Sequence, residues 1–304
     1  MSPNPEMAKL HAAIAAPLDD KLYHLDPDEV AFYKQKTGID DEAALKEHIV
    51  QIQREAYQVF PYICIRWFSF TKVKIARHPA YNQLLKLGKE RNSALFIDVG
   101  CCFGNDIRKA VADGFPAKNC IGTDLEGAFW HLGYRLFKDT PESFPVPFLQ
   151  GDILNPSFLD PSPLLARVER PHPDLTSLTT LTPLVGQLTA IHASMLFHLF
   201  PEQQQLKLAG ALAALLAPTP GAMIFGWHVG DTEKGFIKGA TLPNGEPLPM
   251  FCHSAESWKE MWDGEVFEKG TVEVKAELQK LEAPPGVVPN GAQFWQLIWS
   301  VTRL

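Results

Sequence analysis

No apolar run in this 304-residue sequence approaches the roughly 18–20 residues needed to cross a bilayer as a helix, so no membrane span is expected. There is no C-x-x-C and no pair of histidines at ligand spacing. The five cysteines, Cys64, Cys101, Cys102, Cys120 and Cys252, fit neither a zinc site nor a disulfide framework, so no metal is expected. Positive charge is in deficit. The 28 Lys and Arg are outnumbered by 35 Asp and Glu, and a formal charge of −7 argues against nucleic acid or an anionic membrane as partner. Arg66, Lys72, Lys74 and Arg77 form a local basic group whose simplest reading is a solvated face. No basic stretch followed by an apolar one opens the sequence, which points to an intracellular, reduced, cytoplasmic protein. Repeats and low-complexity tracts are absent.

What is present is an ordinary globular composition, 46% hydrophobic and 21% charged, long enough for one large α/β domain with an appendage. The N-terminal part reads as helical. Asp26-Pro27-Asp28-Glu29 is a good cap with proline in the first turn, and Gly38 stops that helix. Asp40-Asp41-Glu42 starts another, in which Leu45, Ile49, Ile52, Ala56 and Val59 recur at helical spacing before Pro61. Tyr62 to Lys74 is aromatic-rich, with strand, short helix and lid all open, and Tyr81 to Lys89 reads as a helix. Residues 1–90 are therefore expected to form a helical extension or lid, and residues 91–304 the main domain.

Beyond residue 90, strands and helices alternate. Strand signals fall at Ala94–Ile97, Asn119–Asp124, Val146–Ile153, Leu188–Ser194, Gly221–Trp227, Val272–Leu278 and Phe294–Thr302. Helices are expected after Gly104, over Ala128–Phe137 and Pro201–Leu216, near Leu164–Val168, and after a Ser254 or Ser257 cap. Alternation of this kind predicts an α/β, Rossmann-like, doubly wound, mostly parallel seven-stranded sheet, with an antiparallel edge from the last two strands. Ligands on such sheets bind beyond the carboxyl ends of the strands. Asp98, Asp124, Asp152 and His192 all fall at or near those ends.

Leu95 to Gly104 is the centre of this pattern: an apolar strand, an acid at Asp98, then Gly100-Cys101-Cys102-Phe103-Gly104 leading into a helix. The glycines let a ligand approach the backbone, and the helix N–H groups face it. A dinucleotide site wants G-x-G-x-x-G, but Cys102 fills the middle place. A P-loop wants Lys-Ser/Thr where Asn105-Asp106 stands, and Asp106 would repel phosphate. A ligand with a cationic centre and no phosphate fits better. S-adenosylmethionine (SAM) is such a ligand: Asp98 can serve its ammonium, Asp124 its ribose hydroxyls, and Asp152, with Ile153 against the ring, its adenine.

These segments resemble class I SAM-dependent methyltransferases. Gly-Cys-Cys-Phe-Gly-Asn-Asp-Ile-Arg-Lys (100–109), Ile-His-Ala-Ser with Phe-His-Leu-Phe (191–200), Ile-Phe-Gly-Trp-His-Val-Gly (224–230) and Cys-His-Ser-Ala-Glu-Ser-Trp (252–258) resemble more narrowly a fungal group from meroterpenoid pathways of the austinol and terretonin type. The resemblance runs from about Leu22 to the C-terminus. It implies a secondary-metabolite methyltransferase, in some members making a methyl ester of a terpenoid carboxylate. It also implies SAM contacts at Asp124-Leu125 and Asp152-Ile153, and a homodimer. The reading of the strand ends and the turn adds Asp98, Gly100, Cys101, Gly104 and His192 to the expected cofactor contacts.

Methyl transfer is an in-line displacement, and the enzyme's task is chiefly alignment and exclusion of water. A carboxylate acceptor is already ionised, whereas a hydroxyl benefits from a base, for which histidine is suited. His192, at the fourth strand, is the first expected catalytic residue, and His228, after the fifth strand, the second. The expected function is O-methylation, at a carboxylate or hydroxyl, of a small apolar metabolite. The alternatives are an NAD(P)-dependent oxidoreductase and a non-catalytic SAM-binding regulatory protein.

Overall fold

The computed structural model describes residues 17–161, 173–238, 249–281 and 293–304. The helix expected near Leu164–Val168 lies outside the described residues, as do residues 1–16, 239–248 and 282–292. Strands β1 (Phe96–Val99), β2 (Cys120–Asp124), β3 (Phe148–Gln150), β4 (Ala190–His192), β5 (Met223–Gly230), β6 (Val272–Leu281) and β7 (Phe294–Arg303) form one sheet. Their order is β3-β2-β1-β4-β5-β7-β6. The first five run parallel, and β7 is antiparallel to both neighbours. The doubly wound reading with an antiparallel edge holds.

Side chains alternate across the sheet, as a pleated strand requires. Ile97 and Val99 of β1, Ile191 of β4 and Ile224 of β5 enter one core with Trp258, Trp262 and Trp299. Phe96, Ala190, Met223 and Phe225 enter the other, with Leu84, Ile107, Phe115 and Trp130. Both faces are covered by helices, so the central strands read as continuous apolar runs. Along β6, by contrast, Glu273, Lys275, Glu277 and Gln279 are exposed at every second position.

The helices are α1 (Pro27–Thr37), α2 (Glu42–Val59), α3 (Ile63–Arg66), α4 (Tyr81–Glu90), α5 (Asn105–Ala112), α6 (Gly127–Phe137), α7 (Glu202–Leu215) and α8 (Ala255–Trp262). At the start of α1 the Asp26 N–H donates to Glu29 Oε2 at 2.9 Å, and Gly38 closes the helix at φ +69°. Asp41 Oδ1 accepts from the Ala44 N–H at 2.8 Å and caps α2. The stripe Leu45, Ile49, Ile52 and Ala56 then packs with Phe129, Leu132 and Leu136 of α6 in a third core. The aromatic-rich segment resolves as α3 and a 3-10 turn, Ser69–Thr71, and a second 3-10 turn, Ile75–Arg77, follows it.

Strand β5 runs three residues past the expected Trp227. Every residue to Gly230 is paired with β7, in register with Trp295. Two glycines within the strand allow close packing. A Cβ on Gly226 would lie 2.2 Å from the Ala193 carbonyl oxygen, and one on Gly230 2.8 Å from Leu297 Cβ.

Candidate active site

After β1 the chain turns through Gly100 (φ +71°), Cys101, Cys102 (φ +49°), Phe103 and Gly104 (φ +71°) into α5. Cys102 fills the middle glycine place yet keeps a left-handed backbone, a conformation that costs a side-chain-bearing residue roughly 1–2 kcal/mol. The surroundings enforce it. The Cys102 N–H donates to Asp124 Oδ2 at 2.8 Å, and the Gly100 and Cys101 N–H groups donate to the Thr123 carbonyl at 2.9 and 3.2 Å. At Gly104 a Cβ would come within 2.6 Å of Trp130 and 2.7 Å of Arg108.

Asp124 ends β2 half-buried. Its second oxygen accepts from the Glu126 N–H at 3.1 Å, so each oxygen keeps a lone pair for a further donor. Burial raises its pKa, against the opposing pull of the backbone donors of Glu126 and Cys102. The Leu125 carbonyl accepts from Gln150 Nε2 at 3.1 Å. Asp152 lies two residues beyond the end of β3 rather than within a strand, because the chain bends there and Asp152 Oδ1 accepts from the Leu154 N–H at 2.9 Å. Ile153 beside it is buried.

Strand β4 lies beside β1 with His192 opposite Asp98, which joins residues 94 apart in sequence. His192 Nδ1 and Asp98 Oδ1 are 2.7 Å apart, and both residues are buried. Burial pulls the His192 pKa down. The charge and hydrogen bond of Asp98 more than offset this, and the value lies above that of an ordinary histidine. Met195, just beyond, has φ +53° and is pinned by its N–H to the Trp227 carbonyl.

His228 is not brought to this pair. It lies within β5 rather than after it, three residues past the partner of His192 and therefore on the opposite face, about 10 Å further along the strand. There its Nδ1 accepts from Trp299 Nε1 at 3.0 Å, and its ring lies 4.6 Å from Trp258 and 5.5 Å from Phe197. Burial holds it neutral, with its pKa well below the ordinary histidine value. Cys101 is buried, and burial pushes its thiol well up, as a turn filler requires and a nucleophile does not.

Several residues that shape the site carry no local sequence signal. Arg108 holds the turn from behind, donating to the Phe103 carbonyl at 2.7 Å. The start of α5 is clasped by the N-terminal layer: Asn105 Nδ2 donates to Tyr33 Oη at 2.8 Å and to the Phe70 carbonyl, and the Ile75 N–H donates to Asp106 Oδ1 at 2.9 Å. Of the basic group, Lys72 and Arg77 are neutralised by Asp26, Asp28 and Glu29, and Arg66 bonds the Pro17 carbonyl. Lys74 differs. Half-buried and bonded to the Ser69 carbonyl at 3.3 Å, it has no acid partner among the described residues, and its charge reaches Asp106 and His192.

A sheet of this order, with a glycine turn after β1 and an acid ending β2, is that of a class I methyltransferase. Residues 18–71 match the model of the meroterpenoid methyltransferase N-terminal domain. The asnovolin E/chermesin D methyltransferase nvfJ of Aspergillus novofumigatus is 31% identical over 84% of this chain and 82% of its own. The methyltransferase trt5 of Aspergillus terreus is 27% identical over 95% and 98%. The chain belongs to this fungal family of secondary-metabolite methyltransferases, which removes the oxidoreductase reading. Among the described residues no helix is long and apolar enough to cross a membrane.

Proposed function

We propose that this methyltransferase uses SAM to methylate an oxygen of a small, largely apolar metabolite. The observation that carries the reading is the buried Asp98–His192 pair, set between two parallel strand ends beside the glycine turn. The residues present suit SAM. Asp124 keeps acceptor capacity for two ribose hydroxyls, and the turn's close backbone, with glycine-like angles at Gly100, Cys102 and Gly104, leaves room for a ligand without phosphate. Leu125, Asp152 and Ile153 would flank the adenine, while Gly100, Cys101 and Gly104 would line the methionine side. SAM supplies a methyl group activated by a sulfonium. The chain supplies orientation and a place for a proton.

For a hydroxyl acceptor, His192 receives the proton and Asp98 stabilises the imidazolium. Such general-base help is worth roughly 10²–10⁴-fold in rate. A carboxylate acceptor needs only alignment. His228, in the buried aromatic core on the opposite face of the sheet, is then a packing residue rather than a base. Relatives support an oxygen acceptor, since one, phiE, is named an O-methyltransferase.

The deciding experiment is incubation with methyl-labelled SAM and matched apolar acceptors bearing a hydroxyl, a carboxyl or an amine. O-methyl product is expected; label on nitrogen or carbon alone overturns the reading. Light scattering at working concentration tests the homodimer implied by the family.

A further inference from the structure

The ring of His192 has no free nitrogen. Nδ1 meets Asp98 Oδ1 at 2.7 Å, and Nε2 meets Ser194 Oγ at 2.7 Å. A carboxylate only accepts, so in the neutral ring Nδ1 carries the hydrogen, and Nε2 accepts from the serine hydroxyl. Asp98 and His192 are 3% and 1% exposed, whereas Ser194 is partly open. An acceptor at the strand ends therefore meets Ser194 before it can reach His192.

The placement of Ser194 is fixed from both sides. Ala193 N–H donates to the Phe225 carbonyl at 3.0 Å, and Met195 leaves in the left-handed conformation. Gly226 makes room for this strand end, because a side chain there would strike the Ala193 carbonyl. A left-handed, non-glycine residue directly after a buried hydrogen-bonded chain is the kind of backbone strain that accompanies a functional group held in place.

We infer that Ser194 Oγ is the group that contacts the acceptor oxygen and passes its proton to His192, so that Asp98, His192 and Ser194 act as one relay. This rests on the O-methylation reading. As the new carbon–oxygen bond forms, the acceptor's O–H bond breaks and its proton goes to Ser194 Oγ, whose own proton moves to His192 Nε2. The sulfonium charge is lost with the methyl, and the resulting imidazolium is held by Asp98 until its proton returns to solvent. With a carboxylate acceptor no proton moves, and the same hydroxyl only orients the oxygen. The charged and titratable groups around His192 are Asp98 on β1, Asp106 on α5, and Lys74 and His78 on the segment before α4.

Two measurements test the relay. The first needs no acceptor: ¹⁵N NMR of the histidine rings in the full-length protein, with and without S-adenosylhomocysteine, for wild type, Ser194→Ala and Asp98→Asn. The relay requires the neutral His192 to be the Nδ1–H tautomer in wild type and to lose that preference in Asp98→Asn. A wild-type ring protonated at Nε2 overturns it. The second compares hydroxyl and carboxyl acceptors found in the labelled-methyl screen. Ser194→Ala should lower kcat with the hydroxyl acceptor about 100-fold or more, remove the acid limb of the pH–rate profile, and leave S-adenosylhomocysteine affinity within twofold. Ser194→Thr should recover part of the rate, and the carboxyl acceptor should lose less than tenfold. An O-methyl product formed with unchanged kcat and pH profile in Ser194→Ala refutes the relay while sparing O-methylation. Absence of any O-methyl product refutes the function proposed above, and the NMR result still decides the tautomer.

Discussion

Arg108, with no solvent exposure, donates through Nε and Nη2 to the two oxygens of Asp139 at 2.7 and 3.0 Å, while Nη1 reaches the Phe103 and Gly104 carbonyls. Its guanidinium also lies 4.3 Å from the ring centre of Phe144 and 4.8 Å from that of Phe137. One side chain thus ties the glycine turn to the end of α6. Asp139→Ala strips this buried cation of its counter-charge and should cost about 3–5 kcal/mol of stability, read as a lower denaturant midpoint at constant slope. Arg108→Lys keeps the charge but loses the fork, and should weaken S-adenosylhomocysteine binding in a protein that still folds.

Asp124 accepts two backbone N–H groups and is the proposed ribose ligand. Hydrogen bonds to a charged acceptor are worth about 1.5–3 kcal/mol each. Asp124→Asn should therefore weaken S-adenosylhomocysteine binding by roughly 10- to 100-fold in calorimetry. Unaltered affinity would remove Asp124 from the cofactor site.

Acid should destabilise the protein through its buried neutral histidines. His78, held between the Gly226 carbonyl and the Ala80 N–H, has its pKa pushed down to about 4 by burial, and so does His253. A folded value below the unfolded one means that their contribution is present above about pH 6.5 and is lost as pH falls toward 4. For His78 the full swing is on the order of 3 kcal/mol. His192 has the opposite sign, its contribution being complete below pH 6.5 and lost as pH rises through its raised value. The melting temperature should fall between pH 7 and pH 4.5, and His78→Gln should flatten that slope. An unchanged slope would show that His78 titrates alike in the folded and unfolded chain.

Lys74 lacks the acid partner that its neighbours Lys72 and Arg77 have. A half-buried ammonium whose charge reaches Asp106 and His192 favours a carboxylate, from either the cofactor or the acceptor. Lys74→Met should leave stability within about 0.5 kcal/mol. It should raise KM for SAM several-fold if the cofactor's carboxylate is the partner, or KM for an acid acceptor if that one is. No change in either would leave Lys74 a surface cation.

The glycine turn and the acids of β1 and β2 were legible because their chemistry is local. Asp98, Gly100, Gly104 and Asp124 lie within 27 residues, each at a strand end or turn that hydrophobic pattern alone can locate. The seven strands and their sense were legible for the same reason. The pairing of Asp98 with His192 was not, because it depends on β4 settling beside β1 rather than beside β3, a matter of sheet order. Ser194 was hidden inside that uncertainty, having no partner until His192 had one. His228 was misplaced because the strand was expected to end at Trp227, whereas pairing with β7 carries it on to Gly230. Lys74 differs from Lys72 and Arg77 only through which acids α1 delivers, and no spacing in the sequence encodes that.

The alternating charge along β6 has a consequence for how the chain survives its own synthesis. Among the described residues β6 is the last strand in the sheet and ten residues long, so its outer rim carries peptide groups that could pair with another nascent copy. Glu273, Lys275 and Glu277 would bring their charges and hydration into any such junction, and burying them there is unfavourable. In any such encounter that charged rim would disfavour fibre-like stacking, a form of quality control carried by the outermost described strand.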